Sequence, residues 1–263
     1  MISGQRMRLD ESLRTRNDLS RPQRKCRPRR LAVSLLVTRQ AMTNPDVQEW
    51  NFGEMPIGEI AVQFPGATAI FRKHKLDYCC GGAISLAGAV QRRGIALADV
   101  ENQLARLIPQ QTDLPDDSEG IIDLVISRYH DTHRRELPEL GQLARRVERV
   151  HAEHPEAPIG LSDFLARMDA ELGSHMEKEE QVLFPMIREG HPMVRAPISL
   201  MRAEHVDHGQ TLEALAALTH DMEPPEGACG SWRALYSGLR KLSNDLIDHI
   251  HIENNILFPR FNG

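Results

Sequence analysis

A phrase of eleven residues that pairs an imidazole with a carboxylate occurs twice in this chain. His175-Met-Glu-Lys-Glu179-Glu-Gln-Val-Leu-Phe-Pro185 returns 74 residues later as His249-Ile-His-Ile-Glu253-Asn-Asn-Ile-Leu-Phe-Pro259. In each copy the His and the Glu stand four residues apart, so on a helix they share one face. Two such faces turned toward each other would form a metal site. Imidazole suits iron, copper, nickel and zinc, while carboxylates favour harder ions and can bridge two of them. One His-x-x-x-Glu carries little information in a chain with twelve histidines. A second copy with the same aliphatic, Phe and Pro flanks is much harder to obtain by chance.

The repeat is larger than the phrase. His130 lies 45 residues before His175, and His205 lies 44 residues before His249. The repeating unit is therefore a helix pair, with His on its first helix and His-x-x-x-Glu on its second. Four long stretches have helical periodicity, at about 120–153, 162–187, 195–220 and 230–258. Pro155, Pro158 and Gly160, then Gly190 and Pro192, then Pro224, Pro225 and Gly227 separate them. Short breaks between long amphipathic helices predict an antiparallel up-down bundle, with Ser162 as a cap for its second helix. In that arrangement His130 and His205 near helix starts meet His175 and His249 near helix ends. Four imidazoles and two carboxylates converge at one end of the bundle, as in the di-iron or di-manganese sites of bundle cores. Two bridging glutamates and two histidines per metal leave each ion an open or solvent-bridged position for O2, NO or peroxide.

Spacing also sorts the remaining residues. Glu177 and Glu180 project elsewhere than Glu179, and Glu180 is replaced by Asn254 in the second copy. At 1.5 Å per residue, His151 lies roughly 30 Å along the helix from His130 and reads as a helix-end residue; a metal or supporting role is its alternative. His133 and His208, each three residues past a candidate ligand, could substitute for it or orient it. His251 points away from Glu253 and is expected in solvent. His154, His191 and His220 fall at helix ends, where a cation complements the dipole.

Residues 50–108 read as a small helical unit, with short patterns over Ile57–Phe64, Ala67–Lys73, Ile84–Arg93 and Leu97–Leu107. The unit carries Asp77-Tyr78-Cys79-Cys80-Gly81-Gly82. Buried packing is the plain reading of two adjacent cysteines. Redox or iron-binding thiols are the other, and the Gly-Gly places them at a helix start, where the dipole would acidify a thiol. Cys229 reads as packing, and Cys26 belongs to the N-terminal arm. Residues 109–119 are polar and Pro-bearing, and form a linker.

Composition excludes several classes. Aromatic residues are 5% of the chain, against a β-sandwich or barrel. Residues 1–41 hold eleven Arg/Lys against three Asp/Glu, or +8, so the rest carries −13 of the net −5. That speaks against a body that binds nucleic acid. Four cysteines do not make a disulfide scaffold, and no apolar run approaches a membrane span. Arg29-Arg30 before Leu31–Val37 superficially resembles a twin-arginine export signal, but the stretch is short and no cleavage site follows. Residues 1–42 are expected to be a disordered basic extension, or to precede a true start at Met42. The fold expectation is all-α: a small N-terminal helical domain over 50–108, then a four-helix bundle over 120–260.

The motifs together carry a resemblance. They are Asp77-Tyr-Cys-Cys-Gly-Gly82 after Phe71-Arg-Lys, Arg128-Tyr-His130-Asp-x-His133-Arg with Leu137-Pro-Glu-Leu, and Val147-Glu-Arg-Val-His151-Ala. Ser174-His-Met-x-Lys-Glu-Glu-Gln, Met201-x-x-Glu-His205 and Asp248-His-x-x-x-Glu-Asn-Asn-x-Leu-Phe-Pro259 complete the set. Over residues 50–260 the chain resembles the iron–sulfur cluster repair di-iron proteins of the RIC family. The resemblance implies a hemerythrin-like bundle with two non-haem iron ions, oxo- and carboxylate-bridged, held by His130, His175, Glu179, His205, His249 and Glu253. It implies cytoplasmic repair of clusters damaged by nitric oxide or oxidants, by iron donation, NO reduction or both, with Cys79 and Cys80 as relay or redox thiols. Damaged iron–sulfur proteins and NO or O2 are the implied partners, and a homodimer is compatible with it. The family keeps a His at the place of His151, which spacing leaves unexplained, and lacks residues 1–42. Other readings are a hemerythrin-like O2 or NO carrier or sensor, a nitric oxide reductase, and a structural zinc bundle. The zinc reading is disfavoured because closed zinc sites usually take four ligands, often Cys.

Overall fold

The computed structural model describes residues 50–107 and 114–261. The basic extension expected over residues 1–42 and the start of the expected linker lie outside them. The described chain is helical throughout, without a strand among its described residues.

Four short helices come first: α1 (Ile57–Gln63), α2 (Ala67–Lys73), α3 (Leu86–Arg93) and α4 (Leu97–Leu104). None is long enough to be stable alone. They hold one another by burying Phe52, Ile57, Ile60, Phe64, Phe71, Leu86, Val90, Val100 and Leu104 in a common core. Ser85 caps α3 by accepting the Gly88 N–H. Gly94 ends that helix in the left-handed region at φ 67°.

The second part begins at α5 (Ser118–Leu124), capped by Asp117 through the Gly120 N–H. It runs without a break through Val125–His130 into α6 (Asp131–Val150). A turn leads to α7 (Leu161–Lys178), continued by Glu179–Leu183 and by α8 (Phe184–Arg188). Then come α9 (Arg195–Leu218) and α10 (Gly230–Ile252), whose extension Glu253–Leu257 passes into a final 3-10 turn at Phe258–Phe261. These four rods pack as a bundle. Its middle is filled by Leu137, Leu165, Leu172, Leu215, Trp232, Leu239 and Leu246. A separate cluster of Ile121, Val125, Phe184, Ile198, Leu257 and Phe258 closes one end. Ser162 does not cap α7 as expected. Gly160, at φ 89°, supplies the turn into that helix, and Ser162 lies inside it, donating its hydroxyl and its N–H to Glu148.

Three segments depart from α-helical bonding: Val125–His130, Glu179–Leu183 and Glu253–Leu257 are π-turns. Their closing N–H groups, on Asp131, Phe184 and Phe258, donate to the carbonyls of Ile126, Glu179 and Glu253, five residues back. In the last two, a proline follows the closing residue, and a proline has no N–H to donate. The consequence is a change of register. In a plain α-helix a spacing of four drifts by about 40° per step. With the widened turns, Leu183 is buried four residues after Glu179 and Leu257 four residues after Glu253. Such bulges are frequent at functional sites, and all three here adjoin a candidate ligand.

The small helical unit docks along α10 and its extension, and reaches α9 and the turn after it through Arg93–Glu213 and Lys75–Asp221. Arg72 and the Tyr78 hydroxyl both donate to Asp248 Oδ1 of α10, at 2.6 and 2.9 Å. Asn255 Nδ2 donates to the Tyr78 carbonyl at 3.0 Å. Gly58 and Gly82 are needed for this approach. A Cβ on Gly82 would lie 2.7 Å from the Tyr78 carbonyl oxygen and 2.8 Å from Asn255 Oδ1.

Candidate metal centre

The structure brings His130, His175, Glu179, His205, His249 and Glu253 together. All six are at most 1% exposed. They form two interlocking groups, His130, Glu179, His249, Glu253 and His175, Glu179, His205, Glu253. Within each group one potential ligand atom per residue lies within 4.8 Å of every other. The two glutamates belong to both. Glu179 Oε2 stands 3.4 Å from His130 Nε2 and 3.4 Å from His175 Nε2. Glu253 reaches His205 Nε2 with Oε2 at 3.1 Å and His249 Nε2 with Oε1 at 3.3 Å.

The imidazoles are held from behind. His130 Nδ1 donates to Glu180 at 2.7 Å, His175 Nδ1 to Glu204 at 2.9 Å, and His205 Nδ1 to the Asn254 side-chain oxygen at 2.9 Å. Glu180 is also clamped by Arg134, and Glu204 by Lys178. Burial opposes ionisation of Glu180, but Arg134 and His130 hold it below the usual carboxylate range. It therefore accepts, and the His130 proton sits on Nδ1. Each of these three rings then turns an Nε2 lone pair inward.

These orienting groups follow the repeat. Glu180 and Asn254 occupy the same position after their glutamates, each serving the His of the helix before. Glu204 precedes His205 as Tyr129 precedes His130. Where Glu204 bonds His175, Tyr129 stacks on His249, with ring centroids 5.6 Å apart, and among the described residues His249 Nδ1 has no partner. Spacing sets Glu180 aside and gives Glu204 and Asn254 no role. Aligning the two copies one residue past each glutamate pairs Glu180 with Asn254, whereas Glu204 pairs with Tyr129 and carries no such signal.

The donor set fits a metal. Inside the cluster there are lone pairs and carboxylate oxygens, and both oxygens of Glu179 and of Glu253 lack a hydrogen-bond donor among the described residues. His130 Nε2 lies 3.1 Å from His249 Nε2, and His175 Nε2 lies 3.2 Å from His205 Nε2. Buried acceptors facing one another are costly unless a cation satisfies them. Burial, then neighbouring imidazole, pushes the pKa of His130 down to about 3 and that of His175 down to about 2, so the rings are neutral, as ligands must be. Burial and the Glu253 charge push Glu179 well above the usual carboxylate range.

The other histidines lie outside both groups. His133 is fully buried and packs on His249, and His208 stands edge-on to His175, with centroids 4.8 Å apart. His151 caps the C-terminus of α6, where its Nε2 lies 3.1 Å from Cys229 Sγ beside Trp232. His251 is a correction. It is 5% exposed rather than in solvent, because the small helical unit covers it. Its Nδ1 accepts from Asn255, and its ring meets the edge of Tyr78.

The cysteine pair also departs from expectation. Helix α3 starts at Leu86, so Cys79 and Cys80 lie in a bend upstream of it and not at a helix start. The Cys79 thiol is pushed up rather than acidified, by its contact with Cys80, by burial and by Asp77. The two sulfurs are 3.6 Å apart and free. Cys80 Sγ lies 3.2 Å from the His205 carbonyl oxygen, directly behind a candidate ligand. Both cysteines line an open cavity of about 380 Å3, together with Glu59, Arg202, Asn254 and Asn255. Asp77, Cys79 and Cys80 form a third group of potential ligands.

Comparison with known proteins agrees with this geometry. Residues 122–261 match the hemerythrin HHE cation binding domain, and residues 53–108 match a domain of unknown function, DUF542. The chain is 46% identical over 213 residues to the iron–sulfur cluster repair protein YtfE of Shigella boydii serotype 4, covering 80% of this chain and 97% of that protein. The YtfE protein of Escherichia coli strain K12 / DH10B matches with the same identity and coverage. By its bundle, its buried His/Glu clusters and this similarity, the chain belongs to the hemerythrin HHE family and, within it, to the YtfE-type proteins.

Proposed function

We propose that this chain repairs iron–sulfur clusters damaged by nitric oxide or oxidants, using a di-iron centre held by His130, His175, Glu179, His205, His249 and Glu253. The observation that carries the reading is the pair of interlocking four-residue groups that share Glu179 and Glu253. Carboxylates can bridge two metal ions, and each of these two glutamates belongs to both groups, so they would serve both ions. The repair role rests on the names of the YtfE relatives, 46% identical over nearly their whole length. When bound, two irons would supply one-electron chemistry and open positions for NO or O2.

The chain's own residues would do the rest. Glu180, Glu204 and Asn254 fix ring orientation. Phe184 and Phe258 stack on His130 and His205 and keep water from that end of the site. Residues 50–108 would act as a thiol-bearing domain on the 120–260 bundle, presenting Cys79 and Cys80 as a relay for iron leaving toward a damaged client protein. The closeness of Cys80 Sγ to the His205 main chain supports transfer between the two sites. A hemerythrin-like carrier of O2 or NO needs no such thiol domain.

Iron analysis with Mössbauer spectroscopy tests the centre. Wild type should hold two irons, and a His175→Ala/His249→Ala variant should lose them; persistence in the variant would refute the ligand set. Cys79→Ser/Cys80→Ser should keep its iron yet fail to restore a nitric-oxide-damaged cluster protein. Unimpaired restoration would end the relay idea.

A further inference from the structure

Asn254 joins two parts of the molecule that the mechanism treats separately. It is 5% exposed, and both ends of its amide are used. Oδ1 accepts from His205 Nδ1 at 2.9 Å, and Nδ2 donates to the Cys79 carbonyl at 3.0 Å. The Cys80 thiol contacts the His205 carbonyl oxygen at 3.2 Å. The cysteine segment therefore touches His205 from two sides: through its ring, by way of Asn254, and at its main chain. Arg202 fixes the clasp by donating to the Asn254 carbonyl and lying over Phe258, which stacks on His205.

The residue type is chemically specific. At the repeat-related position Glu180 orients His130, and elsewhere in the site another carboxylate, Glu204, orients His175. A carboxylate only accepts. Position 254 must accept from an imidazole and donate to a carbonyl, which an amide does and a carboxylate does not. The departure from the repeat at Asn254 thus coincides with the place where the thiol segment meets the centre.

We propose that Asn254 is a positioning residue that couples the Cys79–Cys80 segment to His205, so that metal bound in the centre and chemical change at the thiols alter each other. This rests on the reading of His205 as a metal ligand. A shift of the Cys79 carbonyl pulls on the amide, and the amide sets the tautomer and tilt of the ring. Binding linkage makes the effect reciprocal.

The test uses the full chain with Cys26→Ser and Cys229→Ser, so that only the pair reports. Ferrous iron is added anaerobically. Two quantities are measured: iron affinity by chelator competition, and the rate at which the pair reacts with an aromatic disulfide reagent. With Asn254 present, iron should slow the thiols by about fivefold or more, and alkylated thiols should weaken iron binding by a similar factor. Asn254→Asp keeps an acceptor for His205 but loses the donor to Cys79. It should hold iron within a few-fold of the parent while the thiol rate becomes indifferent to iron. Asn254→Leu loses both bonds and should also lose about 10- to 100-fold in affinity, as for other groups that orient a ligand. Asn255, bonded to the Tyr78 carbonyl, keeps the segment docked in both variants. Direct capture of iron by the thiols would protect them equally in Asn254→Asp, and that result overturns the proposal. So does a thiol rate in the parent that ignores bound iron. Failure of the parent to take iron overturns the reading of the centre itself, and the coupling with it.

Discussion

Replacing Glu179 by Gln should make the chelator-treated protein more stable and the iron-loaded protein less stable. Glu179 is fully buried, and neither of its oxygens has a hydrogen-bond donor among the described residues. A buried polar group left unmatched costs about 1–3 kcal/mol, and more when charged. Gln keeps the volume, replaces a carboxyl that burial makes costly to ionise, and brings an N–H2 to face Glu253, whose oxygens also lack donors. Allowing for the cost of burying the new amide, the gain should be about 2 kcal/mol. For a folded body of this size that raises the melting temperature by roughly 4–8 °C. Iron reverses the order. Glu179 Oε2 lies between the two groups, 3.4 Å from His130 and from His175. On the proposed reading, losing it would take an anionic ligand from both metals. A ligand held at 1,000 times its dissociation constant stabilises by about 4 kcal/mol, and most of that should vanish. Thermal melts followed by circular dichroism, with chelator and with ferrous iron, give all four values. A chelator-treated variant that melts below chelator-treated wild type would refute the reasoning. So would equal stabilisation of both proteins by iron.

Three other outcomes are expected. Gly82→Ala places a Cβ within 2.7 Å of a backbone oxygen; it should cost about 1–3 kcal/mol and raise amide exchange over residues 53–107 more than in α6 or α7. Asp245→Asn removes an acceptor for Arg128 and Lys241 and should cost about 1 kcal/mol at neutral pH. Burial opposes the Asp245 charge, but Lys241 and Arg128 hold its carboxyl below the usual range. Its contribution is therefore present above pH about 4 and lost as pH falls through the folded value. Urea titrations at pH 7 and pH 3 should show the difference between wild type and variant shrinking; an unchanged difference would contradict it. Glu180→Ala should lower iron affinity by about 10- to 100-fold through loss of His130 orientation, read by chelator competition. Unchanged affinity would mean that packing alone holds the ring.

The helical class, the bundle and the six residues that meet in it are legible in the amino-acid order. These rest on local periodicity: an apolar stripe at helical spacing must be buried, and His-x-x-x-Glu must share a face. Duplication added long-range information, because two copies of one helix pair close on each other only about a shared axis. Relations between segments far apart in sequence arise only when the chain folds. The π-turns at Glu179–Leu183 and Glu253–Leu257 arise then too, and the repeated phrase does not reveal them. Burial of His251, the bend that carries Cys79 and Cys80, and the raised thiol of Cys79 all follow from docking the small helical unit on the bundle. No period reports that contact. The same holds for the repeated phrase. Its His and Glu were legible as two faces, but the residue after each Glu, Glu180 in one copy and Asn254 in the other, acquired a role only when His130 and His205 were found behind it.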